Sequence, residues 1–146
     1  MIWSDVTSNP ISPASVLDRV GEESDGAVIL FLGAVRNQND GRPVSGMEYH
    51  GYEEMAREQL DAIAKEASAL VDGGSLAVVH RLGVLALGDV SVAIAVSSPH
   101  RKSAFEASRF VIEEIKKRLP VWKKEHYLDG RTGWVEGVDP APEAVS

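Results

Sequence analysis

Cysteine is absent from the 146 residues, which excludes disulfides, thiolate metal sites and cysteine nucleophiles. A reaction that moves sulfur would therefore have to receive it from another molecule. No apolar run approaches the roughly 20 residues of a membrane span. The opening Met1-Ile2-Trp3-Ser4-Asp5 has no basic segment followed by an apolar one, so no signal peptide is expected, and a cytoplasmic location is. Positive charge is the minority sign, with 15 Lys and Arg against 22 Asp and Glu and a net charge of −7. That balance argues against an extended nucleic-acid footprint, which needs a basic face, but it allows a local basic pocket. The four histidines, His50, His80, His100 and His126, show no H-x-x-x-H spacing, so no metal site is expected. No phosphate-binding or dinucleotide glycine loop occurs, and Ser97 and Ser98 lack the G-x-S-x-G context of a hydrolase nucleophile.

A hydrophobic fraction of 44% and a charged fraction of 25% belong to an ordinary globular chain with room for a core. The expectation is one catalytic domain over residues 1–137 and a disordered tail over 138–146, where Asp139-Pro140-Ala141-Pro142-Glu143 offers little to bury. Ile2 to Thr7 reads as a strand. Ser12 as N-cap and Pro13 at the first helical position open a helix to about Val20. Ala27 to Val35 reads as a buried strand, 36–43 as a loop and Val44 to Tyr49 as a strand. Tyr52 to Val71 reads as a helix on the spacing of Met55, Leu60, Ile63, Ala67 and Leu70. Leu76 to Leu82, Val84 to Leu87 and Val90 to Ser98 are strands divided by turn glycines. Arg101 to Leu119 is a second long helix, stopped by Pro120. Val121 to Tyr127 and Gly133 to Gly137 are the last strands. Strands interleaved with two long helices make an α+β or α/β sandwich.

Three places concentrate polar groups that folding alone does not demand. Arg36 follows the apolar run directly and opens a polar loop, as a ligand-binding arginine or simply a solvated one. Ser97-Ser98-Pro99-His100-Arg101 is a strand-to-helix junction, where free N–H groups and the helix dipole favour an anion, or where His100 merely packs. The third is Lys116-Lys117-Arg118-Leu119-Pro120-Val121-Trp122-Lys123-Lys124. Basic residues there compensate the helix dipole or serve a site. Taking Phe105, Ser108, Ile112, Ile115 and Leu119 as the buried stripe, Lys116 lies to one side of its centre and Lys117 roughly opposite. Lys116 therefore borders the interior, where a lysine's pKa can fall. Beyond Pro120 the period becomes two, so Lys123 and Glu125 share one face of the strand and Trp122, Lys124 and His126 the other.

Several of these segments match a known pattern in order. Phe31-Leu32-Gly33-Ala34-Val35-Arg36-Asn37, Glu48-Tyr49-His50 and His80-Arg81-Leu82-Gly83 come first. Then come Gly88-Asp89, the run from Ser98-Pro99-His100-Arg101 to Ala107, the run from Lys116 to Glu125, and Trp134-Val135-Glu136. From about Ile2 to Gly137 the chain resembles the large, catalytic subunit of molybdopterin synthase. That resemblance implies an α/β-hammerhead-type sandwich with a small β-rich extension. It implies a homodimer within a heterotetramer, each protomer receiving the Gly-Gly C-terminus of a small ubiquitin-like subunit as a thiocarboxylate. It further implies sulfur transfer to cyclic pyranopterin monophosphate, making the dithiolene of molybdopterin for molybdenum cofactor biosynthesis, with no permanently bound cofactor. Lys116 and Lys123 would be the catalytic pair. Arg36, His100, Arg101, Lys124 and Glu125 would bind substrate. Where some relatives place a basic residue shortly after Trp-Val-Glu, this chain has Gly137-Val138-Asp139.

Two other functions fit the same residues. One is a non-catalytic scaffold that binds an anion or a Gly-Gly tail through its lysines. The other is a hydrolase of phosphorylated metabolites acting through His100.

Overall fold

The computed structural model describes residues 1–135. The chain runs β1 (Ile2–Thr7), α1 (Pro13–Leu17), β2 (Ala27–Ala34), β3 (Gln38–Asn39), β4 (Arg42–Gly51), α2 (Glu53–Ser68) and β5 (Ser75–Arg81). It continues through β6 (Gly83–Ala86), β7 (Val90–Ser98), α3 (Arg101–Arg118), β8 (Val121–Tyr127) and β9 (Thr132–Val135). Strands whose residues are apolar on both sides belong at the centre of a covered sheet. The first sheet has the order β1-β5-β7-β2, and β5 and β7 are its middle strands. Their alternate residues face opposite layers. Leu76, Val78, Ile94 and Val96 join the main core beneath α2 and α3, while Ala77, Val79, Ala93 and Ala95 pack with Val16 of α1 on the other side. β1 runs parallel to β5, and the remaining pairs in this sheet are antiparallel. The architecture is α+β, one of the two classes that the alternation of elements leaves open.

Several expected details change in the fold. The apolar run from Ala27 to Val35 is buried only at Val35, because β2 is an edge strand, with Val28, Phe31 and Leu32 exposed and Ala27, Ile29 and Leu30 partly buried. In α2 the buried residues are Ala56, Leu60, Ile63, Ala64 and Ala67, and Met55 is 53% exposed with Leu70 also outward. In α3 they are Ala104, Ala107, Ser108, Val111 and Ile115, while Phe105 is 63% exposed and Ile112 only half-buried. The reason is common to both helices. Alanines let a helix backbone approach the sheet closely, so the small-residue face turns inward and the bulkier side chains are displaced to the margin. The helices are also tied to each other, since Arg118 donates to both oxygens of Glu66 at 2.8 Å.

Ser12 caps α1 as expected, accepting from the Ser15 N–H at 3.3 Å, but the helix stops at Leu17 rather than Val20. In the second sheet β4 lies between β8 and β6, with β9 beyond β8. The segment expected to be a loop contains a small hairpin, β3 pairing with Arg42 and Pro43 of β4. The proposed tail at 138–146 lies outside the described residues. Among those residues no helix is long and apolar enough to cross a membrane.

Candidate active site

The site forms where α3 gives way to β8. Leu119 precedes a proline and is held extended, with φ −70° and ψ 125°, which ends the helix. Pro120 then leads directly into β8. A lysine in the last helical turn and a lysine on the third residue of the strand, Lys116 and Lys123, thus reach one cavity. Arg36 arrives from the opposite direction. The pairing of β2 with β7 shifts register between Gly33 and Ala34, and an irregularity of this kind re-aims the residues that follow. Val35 is held after it by hydrogen bonds to Asp89 and Gly88, which leaves Arg36 at the cavity wall.

The cavity holds about 880 Å³. Beyond the three cations, its walls include Phe31, Tyr49, His80, Ser91 and Trp122, with Ile112, Ile115 and Leu119 as the apolar side from α3. Arg36, Tyr49 and Lys123 also border a recess of about 70 Å³ that contains Glu125 and Asn39. Glu125 is buried, and its Oε1 accepts from Asn39 Nδ2 at 3.1 Å and from the Tyr127 hydroxyl at 3.0 Å. Lys123 and Glu125 therefore meet on one side of β8, as the period-two reading expects. Lys116, expected to border the interior, is instead exposed at the cavity rim because α3 buries its alanine face, and Lys117 points to water and pairs with Glu114 at 3.5 Å.

Electrostatics sharpen the difference among these groups. Burial, the neighbouring charge of Lys116 and that of Arg36 push the Lys123 ammonium below the ordinary lysine range, and Glu125 opposes the shift. Burial holds the Tyr49 phenol above its usual range, so it stays protonated. His80 is only 4% exposed. Burial pushes its pKa down to about 4, with Lys123 and Lys116 adding to the effect against a backbone hydrogen bond at Arg81. A pocket with three cations in a chain of net charge −7 is suited to an anion, and a lysine of lowered pKa in it gives up its proton more readily than an exposed one.

Three of the expected site residues lie elsewhere. His100 and Arg101 sit at the start of α3 and Lys116 near its end, so about 22 Å of helix separates Arg101 from Lys116 at 1.5 Å per residue. They do not line the cavity of their own chain. Lys124 is on the outer face of β8, with Nζ 5.6 Å from the centre of the Trp134 ring, beside the His126–Glu48 pair at 2.7 Å. A strand's alternation forces this placement once Lys123 points inward. Conversely, His80 and Ser91 were not singled out as site residues. Their segments read as ordinary strand, and the tertiary structure brings them to the cavity, with His80 of β5 edge-on to Tyr49 of β4.

The chain is similar to known proteins over most of its length. The family model described as MoaE protein matches residues 6–118. The molybdopterin synthase catalytic subunit of Bacillus subtilis is 41% identical over 131 residues, covering 90% of this chain and 83% of that one. A crystal structure of molybdopterin synthase from Staphylococcus aureus superposes with a TM-score of 0.84 at 38% identity, covering 90% of this chain and 96% of the other. The fold also appears, at 20% identity and a TM-score of 0.69, in a complex of subunits 1 and 2 of molybdopterin-converting factor from Helicobacter pylori, covering 92% and 90% of the two chains.

Proposed function

The chain belongs to the MoaE family of molybdopterin synthase catalytic subunits, and from that premise we propose that its cavity transfers sulfur from a thiocarboxylated Gly-Gly tail to cyclic pyranopterin monophosphate. One observation carries this reading: the Pro120 turn sets Lys116 and Lys123 together on a cavity that Arg36 also enters. The absence of cysteine fits a donor that brings its sulfur with it. A Gly-Gly tail has no side chains to grip, so its recognition rests on backbone contacts in a channel and cations at the end for the thiocarboxylate. The partner is a small ubiquitin-like subunit, and the working assembly is a homodimeric core carrying one such subunit on each protomer.

In this reading the thiocarboxylate sulfur attacks a side-chain carbon of the pterin and the carbon–oxygen bond there breaks, its oxygen leaving on the phosphate as the cyclic ester opens at one carbon and as water at the other, so the tail becomes linked through an acyl–sulfur bond. Water then adds to the acyl carbon and the carbon–sulfur bond on the tail side breaks. Sulfur stays on the pterin and the tail leaves as a carboxylate. A second tail repeats the sequence to complete the dithiolene. Lys123, whose ammonium loses its proton readily, is suited to the proton transfers; Lys116 and Arg36 hold the anionic groups.

Reconstitution is the direct test. The chain is mixed with the thiocarboxylated small subunit and cyclic pyranopterin monophosphate, and dithiolene product is measured. Lys116→Ala and Lys123→Ala should each lower turnover by about 10²–10⁴, with unchanged thermal melting for Lys116→Ala, whose side chain reaches solvent. Lys117→Ala should turn over as the wild type does. No product from the wild-type mixture, or equal losses in Lys116→Ala and Lys117→Ala, would overturn the assignment.

A further inference from the structure

Nearly every polar side chain on the cavity wall is a donor. Arg36, Lys116 and Lys123 offer N–H groups alone, and the Trp122 indole likewise. The Ser91 hydroxyl already donates to the Gly33 carbonyl at 3.2 Å. The Ser91 and Tyr49 hydroxyls can also accept, but each carries its own proton, whereas His80 presents an acceptor that carries none. Its Nδ1 lies 2.9 Å from the carbonyl oxygen of Arg81. A carbonyl can only accept, so Nδ1 carries the ring proton and Nε2 presents a lone pair. The ring is fixed edge-on against Tyr49, with centroids 5.1 Å apart. Nε2 has no hydrogen-bond partner among the described residues, and the side chain lines the cavity. Burial and the two lysines keep the imidazole neutral at physiological pH.

We propose that His80 Nε2 is the acceptor that recognises an N–H or O–H donor on the heterocycle bound in this cavity, and so sets the direction in which that molecule lies. This rests on the cavity's taking a phosphorylated pterin. A pterin carries ring and amino N–H groups along one edge and its phosphate at the other end. Lysine and arginine suit the phosphate but cannot accept from the ring. The donor edge therefore goes to His80 and the anionic end to the cations, because a buried N–H left without an acceptor loses affinity. His80 is a positioning and specificity residue in this scheme, and it moves no proton itself.

The test separates the two nitrogens. His80→Asn keeps a donor where Nδ1 bonds the Arg81 carbonyl and lacks the Nε2 acceptor. His80→Gln puts a carbonyl oxygen near the Nε2 position and lacks the other bond. In calorimetric titration with cyclic pyranopterin monophosphate, His80→Asn should bind about tenfold more weakly than wild type, and His80→Gln should bind more tightly than His80→Asn. A purely structural role for the imidazole gives the reverse order. Nitrogen NMR of histidine-labelled wild-type protein needs no variant to fold. It should show Nδ1 protonated and Nε2 free at neutral pH, with the Nε2 resonance moving on addition of the pterin. Pterin binding with a silent Nε2, or an unimpaired His80→Asn, would defeat this proposal alone. A wild-type protein that gives no binding heat defeats the pterin reading of the cavity and this inference with it.

Discussion

Lys123 shows how one residue's surroundings set both its chemistry and a cost to the fold. Its ammonium is disfavoured by burial, then by Lys116 and Arg36, with Glu125 compensating in part. The folded chain therefore releases this proton at a lower pH than the unfolded chain does. Between those two values the unfolded state binds more protons, so stability rises with pH across that window, and below it the full cost is present. Lys123→Met removes the charge while keeping most of the apolar stem. It should melt at a higher temperature than wild type at neutral pH, and the gap should narrow as pH climbs towards the ordinary lysine range. A gap that is constant with pH would mean the ammonium is not under strain in the cavity. The same variant should be inactive in sulfur transfer, separating stability from function at a single position.

At the scale of elements, the join between α2 and β5 rests on two neighbouring glycines with different physical demands. Gly73 adopts φ +78° in open space, a conformation that costs an L side chain about 1–2 kcal/mol. Gly74 has an ordinary φ, but a β-carbon there would lie 2.0 Å from the Ser97 carbonyl oxygen and 3.1 Å from Val71 Cβ. The backbone of β7 cannot retreat without disturbing the sheet that carries the cavity wall. Gly74→Ala should therefore cost roughly 3 kcal/mol or more, and Gly73→Ala clearly less, read from urea denaturation midpoints. The α3–β8 corner depends on a similar local device. Proline after Leu119 ends the helix one turn beyond Lys116 and sets the strand phase that turns Lys123 inward.

Across the whole molecule, the two halves of the expected site lie at opposite ends of α3. Lys116 and Lys123 sit at one end, and His100 and Arg101 at the other, about 22 Å away along the helix. One chain cannot bring both to one substrate. A homodimer can, and the exposed apolar residues Val28 and Leu32, on one face of the edge strand β2, are a surface that remains to be covered. Arg101→Ala and Lys123→Ala chains should each be inactive alone. Unfolded, mixed and refolded together, half of the random dimers are mixed, and one site in each mixed dimer is intact, so activity should return to about a quarter of wild type. No recovery would show that Arg101 does not serve a site shared between copies.

Periodicity within a single element is a property of backbone geometry, and in β8 the sequence alone was decisive. The two-residue strand repeat joins Lys123 with Glu125 and parts both from Lys124, and Pro120 marks the junction of helix and strand; the helical repeat did not place Lys116, because the face of α3 that is buried is its alanine face. Strand β1 and the order of all the long elements were legible for the same reason. Which apolar face is buried was not. Met55 and Phe105 match the helical repeat but stand outside because alanines pack closer, and β2 is apolar but is an edge. The location of His80 at the cavity, and the distance of His100 and Arg101 from it, depend on how sheets and helices are stacked. Such contacts join residues far apart in the chain, and no local pattern encodes them.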